Sequence, residues 1–219
     1  MLVDYLLEQN RNVWKQYVCH DFISQVESGK LCEPSFQYYL IQDYHFLIHF
    51  ARSYALAASK AKSLVDLKHA SQSINTILNT EIRLHLDYCS KWGLTEGEVI
   101  NSPLDPACKA YIDFIFSTGA LGGLIETYVA MAPCMLGYAH IGQKLKQSAR
   151  AQSPYQSWIE MYSSEEFQVA AQAEVKYLNR LADEENISEA RLQTLASIFN
   201  EACQLESNFW QMALDNSPS

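Results

Sequence analysis

Two acidic residues stand within apolar stripes in distant parts of the chain. Asp43 falls within the apolar series at 36–54, and Glu206 falls within the series at 195–213. Steps of three and four residues put each series on one helix face, so both carboxylates point inward. A buried carboxylate must be paired or hydrogen-bonded, because an unsatisfied buried charge costs several kcal/mol. Each acid alone fits a structural anchor as well as a catalytic group.

A thiol and a phenol lie one turn apart on a third inward face. Cys134 and Tyr138 belong to the apolar series at 124–145, where Pro133 is expected to kink the helix and free a carbonyl. Inward rings with two acids suit a flat polar heterocycle, which a thiol could attack while an acid moves the proton. Taken alone, Cys134 also fits a small core residue, which is how we interpret the other five cysteines.

Metal and nucleic-acid chemistry are the alternatives that these residue spacings argue against. His45 and His49 are four apart but lack the Glu of H-E-x-x-H, and Glu81 with His85 lacks the paired Glu-x-x-His of a di-iron bundle. We therefore predict no metal and no cofactor. The net charge is −9, no Lys/Arg run occurs and no Gly-rich phosphate loop is present, so nucleic-acid partners and nucleotides are not expected.

The elements that carry these residues are all expected to be helices. Apolar residues make up 48% of the 219 residues, with only 8 Gly and 6 Pro, and no sustained strand alternation occurs. The pattern therefore predicts a single all-α helical-bundle domain spanning residues 1–219. The expected helices cover 3–18, 21–28, 34–59, 64–91, 106–118, 121–147, 155–162, 165–183 and 189–213.

One long apolar stretch imitates a membrane span but is better explained as a buried core helix. Residues 114–139 contain Glu126, two adjacent glycines and Pro133, whereas a span needs about 20 largely apolar residues.

The first residues lack the basic start and apolar run of a signal peptide. The six cysteines show no C-x-x-C spacing and fit free thiols of a reducing compartment. We predict a soluble, cytoplasmic protein that does not bind membranes.

Three segments together resemble the TenA/thiaminase II family. They are Y-Y-L-I-Q-D-Y at 38–44, Pro133-Cys134 followed by Tyr138, and E-x-x-F-W at 206–210. The similarity extends from residue 20 to residue 212. The resemblance implies an all-α fold similar to haem oxygenase, without haem, assembled as a homotetramer. It also implies hydrolysis of thiamin or damaged aminopyrimidines, releasing 4-amino-5-hydroxymethyl-2-methylpyrimidine for thiamin salvage.

The same resemblance implies a role for each matching residue. Cys134 corresponds to a nucleophile that adds to the pyrimidine ring, Glu206 to the general acid/base, and Asp43 to the acid that orients the ring. The substrate-binding positions are Tyr111, Tyr138, Tyr162, Phe46 and Phe209. Some relatives carry Tyr at position 46, so the Phe here keeps the stacking surface but removes a hydroxyl. Because a second branch of the family lacks the cysteine, Cys134 assigns the chain to the thiol-using branch.

The beginning of the chain is similar to fungal members of the family. The segment VDYLLEQNRNVWKQYV at 3–18 carries this similarity, and such fungal domains are often fused behind a pyrimidine kinase. A pyrimidine kinase is therefore an expected partner or neighbouring domain. Two other functions stay open: a degenerate subunit that binds the pyrimidine or assembles with a partner, and a haem or di-iron oxidase. The sequence does not rank thiamin against its aminomethyl-pyrimidine breakdown product.

Overall fold

The fold was described from a computed structural model that covers residues 1–149 and 153–216 of the chain. Within those residues every regular element is a helix and no strand occurs, which confirms the all-α prediction. The helices are α1 Leu2–Gln9, α2 Arg11–Val18, α3 Asp21–Ser28, α4 Glu33–Lys60, α5 Leu64–Thr76, a π-helical turn Ile77–Glu81, α6 Ile82–Lys91, α7 Glu96–Ile100, α8 Pro106–Leu121, α9 Leu124–Ser148, α10 Gln156–Tyr162, α11 Glu165–Glu185 and α12 Glu189–Asp215.

The chain divides into two compact units, and the first comprises residues 1–31 and 128–210. In this unit α11 packs against α1 and α10. Its core is unusually rich in large rings, because Tyr17, Trp158, Tyr162 and Trp210 are all almost completely inaccessible to solvent. Such rings bury the most apolar area per residue, so they dominate the stability of this unit.

The second unit comprises residues 32–127 together with residues 211–216. Its centre is α4, which packs against α5, the π-helical turn, α6, α7 and α8. The buried face of α4 contains Phe36, Tyr39, Asp43, Phe46 and Phe50, as the sequence spacing predicts. The acid thus lies within the apolar stripe of the longest helix.

Two long predicted helices are interrupted in the structure. The helix expected at 3–18 breaks at Asn10, whose buried side-chain amide donates to the backbone oxygens of Leu6 and Ala196. The helix expected at 64–91 contains the π-helical turn, in which an extra residue is accommodated without ending the helix. A short helix, α7, follows a capping box at Thr95 and was not predicted.

The apolar stretch at 114–139 forms the end of α8, a Gly-Gly break and most of α9. Residues 128–132 are completely buried, so the prediction of a core helix is confirmed. No helix in residues 1–149 and 153–216 has the length and apolar character needed to cross a membrane. Helix α9 runs through Pro133 without ending, which keeps Cys134 and Tyr138 on one continuous element.

Candidate active site

The predicted site residues fall into two groups, one in each compact unit. The first unit holds what we call the thiol region: Cys134, Tyr138, Tyr162, Glu206 and Phe209. The second unit holds the Asp43 region, which includes the predicted residues Asp43, Phe46 and Tyr111.

Aromatic contacts join the helices of the thiol region. The rings of Tyr138 on α9 and Tyr162 on α10 have centroids 4.7 Å apart. Tyr138 also lies 5.3 Å from Trp210 on α12. Cys134 precedes Tyr138 by one helical turn, and Glu206 precedes Trp210 by one turn. The thiol and the acid therefore each lie one turn before a ring of the Tyr138–Trp210 contact.

The surroundings of the thiol region are largely apolar. Trp158 lies 4.8 Å from Tyr162, and Phe22 stacks on Trp210 with centroids 4.8 Å apart. Glu206 is buried, with a relative exposure of 2%. Charge that develops on a reacting molecule in such surroundings interacts more strongly with nearby groups than it would in water.

Cys134 differs from the other cysteines in its accessibility. All six lie in the described residues, and Cys134 alone is half-buried, whereas Cys19 and Cys32 are exposed and the other three are buried. Burial raises the pKa of Cys89 to about 11 and also raises the pKa of Cys203, to which the Glu206 charge contributes. Because the thiolate is the nucleophile, those two buried thiols are poorly suited to attack.

A hydrogen-bonded network fixes Asp43 in the second unit. Its Oδ2 accepts a hydrogen bond of 2.9 Å from the Tyr39 hydroxyl and lies 2.6 Å from His85 Nε2. His85 Nδ1 lies 2.8 Å from the backbone oxygen of Glu81, the last residue of the π-helical turn. A carbonyl oxygen can only accept, so Nδ1 carries a hydrogen.

The charge of the Asp43–His85 pair follows from this geometry. Both residues are buried, at 3% and 0% relative exposure. Burial by itself lowers the pKa of His85, but the hydrogen bond and charge of Asp43, with the contributions of Glu81, outweigh it, so the pKa is raised. The geometry therefore favours an ion pair between an imidazolium and a carboxylate.

The two oxygens of Asp43 are used differently. Oδ2 receives both protein contacts, and Oδ1 receives no hydrogen bond from the side chains or backbone of the described residues. One carboxylate oxygen therefore keeps its capacity to accept a hydrogen bond from a bound molecule.

Stacked rings lie on the same face of α4 as Asp43. Phe46, three residues later, stacks on Tyr111 of α8 with centroids 4.8 Å apart and an interplanar angle of 27°. Phe46 also stacks on Phe50, with centroids 5.4 Å apart. The structure thus brings Phe46 and Tyr111 into contact and places Asp43 on the same buried face of α4 as Phe46.

Sequence reasoning missed His85 and Tyr39 as partners of Asp43. His85 was considered only in a metal-binding spacing with Glu81, although it shares an apolar face of α6 with Ile82 and Cys89. The sequence does contain a signal for this pair. His85 and Asp43 each lie on an apolar helix face, and a buried polar group requires a hydrogen-bond partner. Among the described residues, no group of three or more His, Cys, Asp or Glu side chains is arranged to hold a metal ion.

Comparison with known proteins agrees with this architecture. The profile of the TENA/THI-4/PQQC family matches residues 7–216. An uncharacterised protein of Haemophilus influenzae is 39% identical over 216 residues, covering 98% of this chain and 99% of that protein. An aminopyrimidine aminohydrolase of Helicobacter pylori is 31% identical over 95% of this chain and 96% of its own length.

A third relative is much longer than this chain. It is a hydroxymethylpyrimidine/phosphomethylpyrimidine kinase of Schizosaccharomyces pombe, described as putative, and is 32% identical over 95% of this chain. The chain spans only 38% of that relative's length.

Solved structures define the fold class. A TenA family transcription regulator from Silicibacter superposes with a TM-score of 0.92 at 31% identity, covering 98% of this chain and 96% of its own. A Shewanella denitrificans domain with a haem oxygenase-like fold superposes with a TM-score of 0.73 at 18% identity, over 97% of this chain and 92% of that one. The fold is therefore all-α and haem oxygenase-like. The chain belongs to the TENA/THI-4/PQQC family, which confirms the resemblance identified from the sequence.

Proposed function

We propose that this protein hydrolyses thiamin-pathway aminopyrimidines and releases 4-amino-5-hydroxymethyl-2-methylpyrimidine. The observation that carries the proposal is the Asp43 arrangement: a buried carboxylate held by His85 and Tyr39 with one oxygen left to accept. An exocyclic amino group is a donor that such an oxygen binds, and the Phe46–Tyr111 stack offers a surface for a flat ring. Relatives named aminopyrimidine aminohydrolase support this substrate class.

In the proposed reaction, Asp43 binds the ring and Cys134 attacks it. The thiolate adds to a ring carbon, and the electron pair moves through the ring to expel the group attached to the exocyclic methylene. Glu206 protonates an amine leaving group as it departs. The half-buried position of Cys134 supports this role, because a small reactant can reach it, whereas Cys203 is fully buried.

The second half of the reaction restores the ring. Glu206, now a carboxylate, takes a proton from water while the water oxygen bonds to the methylene carbon. The ring then expels the Cys134 thiolate. One water is consumed, the hydroxymethyl pyrimidine is released, and the enzyme returns to its starting protonation state. We assign Tyr138, Tyr162 and Phe209 to substrate binding. We also assign the protein to the thiol-using branch of the family.

A direct assay tests this function. Purified protein, dialysed against a strong chelator, is incubated separately with thiamin and with the aminomethyl pyrimidine, and the hydroxymethyl product is quantified by mass spectrometry. We expect product from at least one substrate. Binding of the hydroxymethyl pyrimidine without turnover of either substrate would indicate a binding or assembly subunit instead. Turnover that disappears on chelation and returns with Zn²⁺ or Fe²⁺ would indicate metal-dependent chemistry.

The proposal extends to the whole chain and its assembly. We propose that residues 1–219 form one cytoplasmic domain, supported by the family match over 7–216, and that copies assemble as a homotetramer. Exposed apolar side chains on α5, at Leu64, Val65 and Leu67, support self-association, since exposed apolar patches mark interfaces. Light scattering during gel filtration gives the number of copies, and calorimetry shows whether one chain unfolds in a single transition.

A pyrimidine kinase is the proposed consumer of the product. Hydrolysis creates a hydroxyl on the methylene carbon, and a hydroxyl is the acceptor that a phosphoryl-transfer enzyme requires. The longer Schizosaccharomyces pombe relative named as such a kinase supports this link. Adding a hydroxymethylpyrimidine kinase and ATP to the assay should convert the product to its phosphate.

A further inference from the structure

Tyr17 lies directly against the turn of α9 that carries Cys134. Tyr17 belongs to α2 and is completely buried. A Cβ placed on Gly137 would lie 2.2 Å from the Tyr17 Cε1 atom and 2.4 Å from its hydroxyl oxygen. The ring edge therefore occupies the space that a side chain at position 137 would need, and only glycine permits this approach.

The Tyr17 hydroxyl also contacts the backbone at the other end of this turn. It donates to the Pro133 carbonyl oxygen over 3.4 Å, a long hydrogen bond. Pro133 has no N–H, so α9 lacks one backbone hydrogen bond at this point and the helix is locally easier to bend. Tyr17 thus packs on the turn between Pro133 and Gly137, and Cys134 is in that turn.

The same ring reaches the helix that carries Glu206. Tyr17 stacks on Trp210 of α12 with centroids 6.3 Å apart and an interplanar angle of 17°. Trp210 follows Glu206 by one turn and contacts Tyr138, which follows Cys134 by one turn. One buried side chain therefore contacts both the backbone beside the thiol and the ring beside the acid.

We propose that Tyr17 is a positioning residue that sets the placement of Cys134 relative to Glu206. The proposal rests on the proposed function for the roles of those two residues. In this role Tyr17 acts through its contacts with the backbone of α9 at Pro133 and Gly137 and with the ring of Trp210. A displacement of about 1 Å in a reacting group can cost about 10²-fold in rate.

Gly137→Ala is the strongest test. Because carbon atoms pack at about 3.5–4.0 Å, the new methyl group would force Tyr17 or the turn to move by more than about 1 Å. We expect kcat to fall by about 30- to 100-fold, while the Kd of the hydroxymethyl pyrimidine changes by less than about threefold. Equal losses in kcat and in ligand affinity would contradict a positioning role.

Tyr17→Phe isolates the hydroxyl, and Tyr155→Phe is its matched control. Tyr155 is also a buried tyrosine of the first unit, and its hydroxyl donates over 2.5 Å to the carbonyl oxygen of Leu31, a residue outside α9. Tyr17→Phe should lower kcat by about three- to tenfold, and Tyr155→Phe should leave kcat within about twofold even if it lowers the melting temperature more. Similar kcat losses in both variants would mean that Tyr17→Phe acts through a general loss of stability, which would contradict a positioning role.

A double variant tests whether the contact itself matters. Tyr17→Leu removes the ring atoms that the Gly137→Ala methyl group would meet. We expect the double variant to be at least about fivefold more active than Gly137→Ala alone, although Tyr17→Leu by itself lowers activity. A double variant less active than Gly137→Ala would overturn the proposal.

Thiol alkylation separates this inference from the proposed function, because it needs no turnover. The rate at which iodoacetamide modifies Cys134 is measured by peptide mass spectrometry, relative to the exposed Cys32 in the same molecules. We expect Tyr17→Phe to change this ratio by about two- to fivefold, Gly137→Ala to change it more, and Tyr155→Phe to leave it unchanged. An unchanged ratio in Tyr17→Phe would overturn the positioning role even in an active hydrolase. A changed ratio in a protein that hydrolyses neither substrate would uphold the positioning role and overturn the proposed function.

Discussion

The thiol region and the Asp43 region hold their polar groups in different ways. Asp43 sits in a hydrogen-bonded network, with His85 and Tyr39 both directed at one of its oxygens. Cys134 and Glu206 instead lie one turn before a contact between two large rings, Tyr138 and Trp210. In the proposed roles, Asp43 presents a lone pair in a fixed direction and therefore needs bonded neighbours, whereas Cys134 and Glu206 must change their bonding during the reaction.

This difference predicts which kinds of substitution impair each region. The Asp43 network depends on donors, acceptors and charge, so small polar substitutions should impair it with little change in volume. The thiol region depends on the placement of helices by rings, so outside the reacting groups a change in volume should impair it more than a polar change. Substitutions that keep shape and change chemistry therefore separate the two regions.

The largest effect is expected at Glu206. Glu206→Gln keeps the packing and removes proton transfer, so kcat should fall by about 10²- to 10⁴-fold while affinity for the hydroxymethyl pyrimidine holds within a few fold. The loss should be smaller for thiamin, whose cationic thiazolium leaves without being protonated, than for the aminomethyl pyrimidine. Steady-state rates on both substrates, with titration of the product, check this. A variant that loses binding and keeps kcat would mean that Glu206 recognises the ring.

The next largest effect is expected at Cys134. Cys134→Ser should lower kcat by about 10²-fold or more, since a hydroxyl is a far poorer nucleophile than a thiol at neutral pH. Cys203→Ser is the matched control on α12, because that thiol is fully buried and its pKa is raised. It should retain nearly the wild-type rate in the same assay. Equal losses in the two variants would assign the thiols to folding and end the nucleophile hypothesis.

We expect substitution of Asp43 to impair binding of the ring first and the chemical step as a consequence. Asp43→Asn keeps the shape but replaces one acceptor oxygen by a donor, so affinity for the hydroxymethyl pyrimidine should weaken by about 2–4 kcal/mol. The rate should fall as well, because a ring held in the wrong orientation is a poorer electrophile. Isothermal titration of this variant beside Glu206→Gln gives the comparison directly. If Asp43→Asn binds normally and Glu206→Gln does not, the two roles are reversed.

The sequence predicted the two regions unequally, for a physical reason. Helical spacing places Asp43, Cys134, Tyr138 and Glu206 on inward faces, because periodicity along one helix is a local property. Pairing between helices is not local. The contact of Asp43 with His85 spans 42 positions and depends on the register of α6 against α4.

That register is shifted by a feature that periodicity does not reveal. The π-helical turn Ile77–Glu81 accommodates an extra residue just before His85, and its last carbonyl, at Glu81, binds the imidazole. Similarly, the Tyr17–Gly137 contact joins helices far apart in the sequence. The roles of Cys134, Glu206 and Asp43 came from the family resemblance rather than from spacing, and they remain predictions.

The smallest effect is expected from the charge on His85, and it is visible in stability. The pKa of His85 is raised above its ordinary value of 6.5, so its stabilising charge is fully present below that value and is lost as pH rises through the higher folded value. His85→Gln keeps a donor for Asp43 but cannot carry charge. Its loss of unfolding free energy relative to wild type should be about 1–2 kcal/mol at pH 6 and smaller at pH 9.

Urea unfolding of both proteins at the two pH values measures this difference, and Tyr39→Phe provides the control. Tyr39→Phe removes the other hydrogen bond to Asp43 without adding or removing a charge in this range, so its loss should be nearly independent of pH.

Cys108, which also faces Asp43, has a pKa raised by burial and stays neutral across the range. The charge of Glu81 also acts on His85, so Glu81→Gln is measured in the same series to show how much of the pH dependence Glu81 contributes. A His85→Gln loss that grows from pH 6 to pH 9 would mean that folding lowers the pKa of His85, and the imidazolium–carboxylate pair would then be absent at neutral pH.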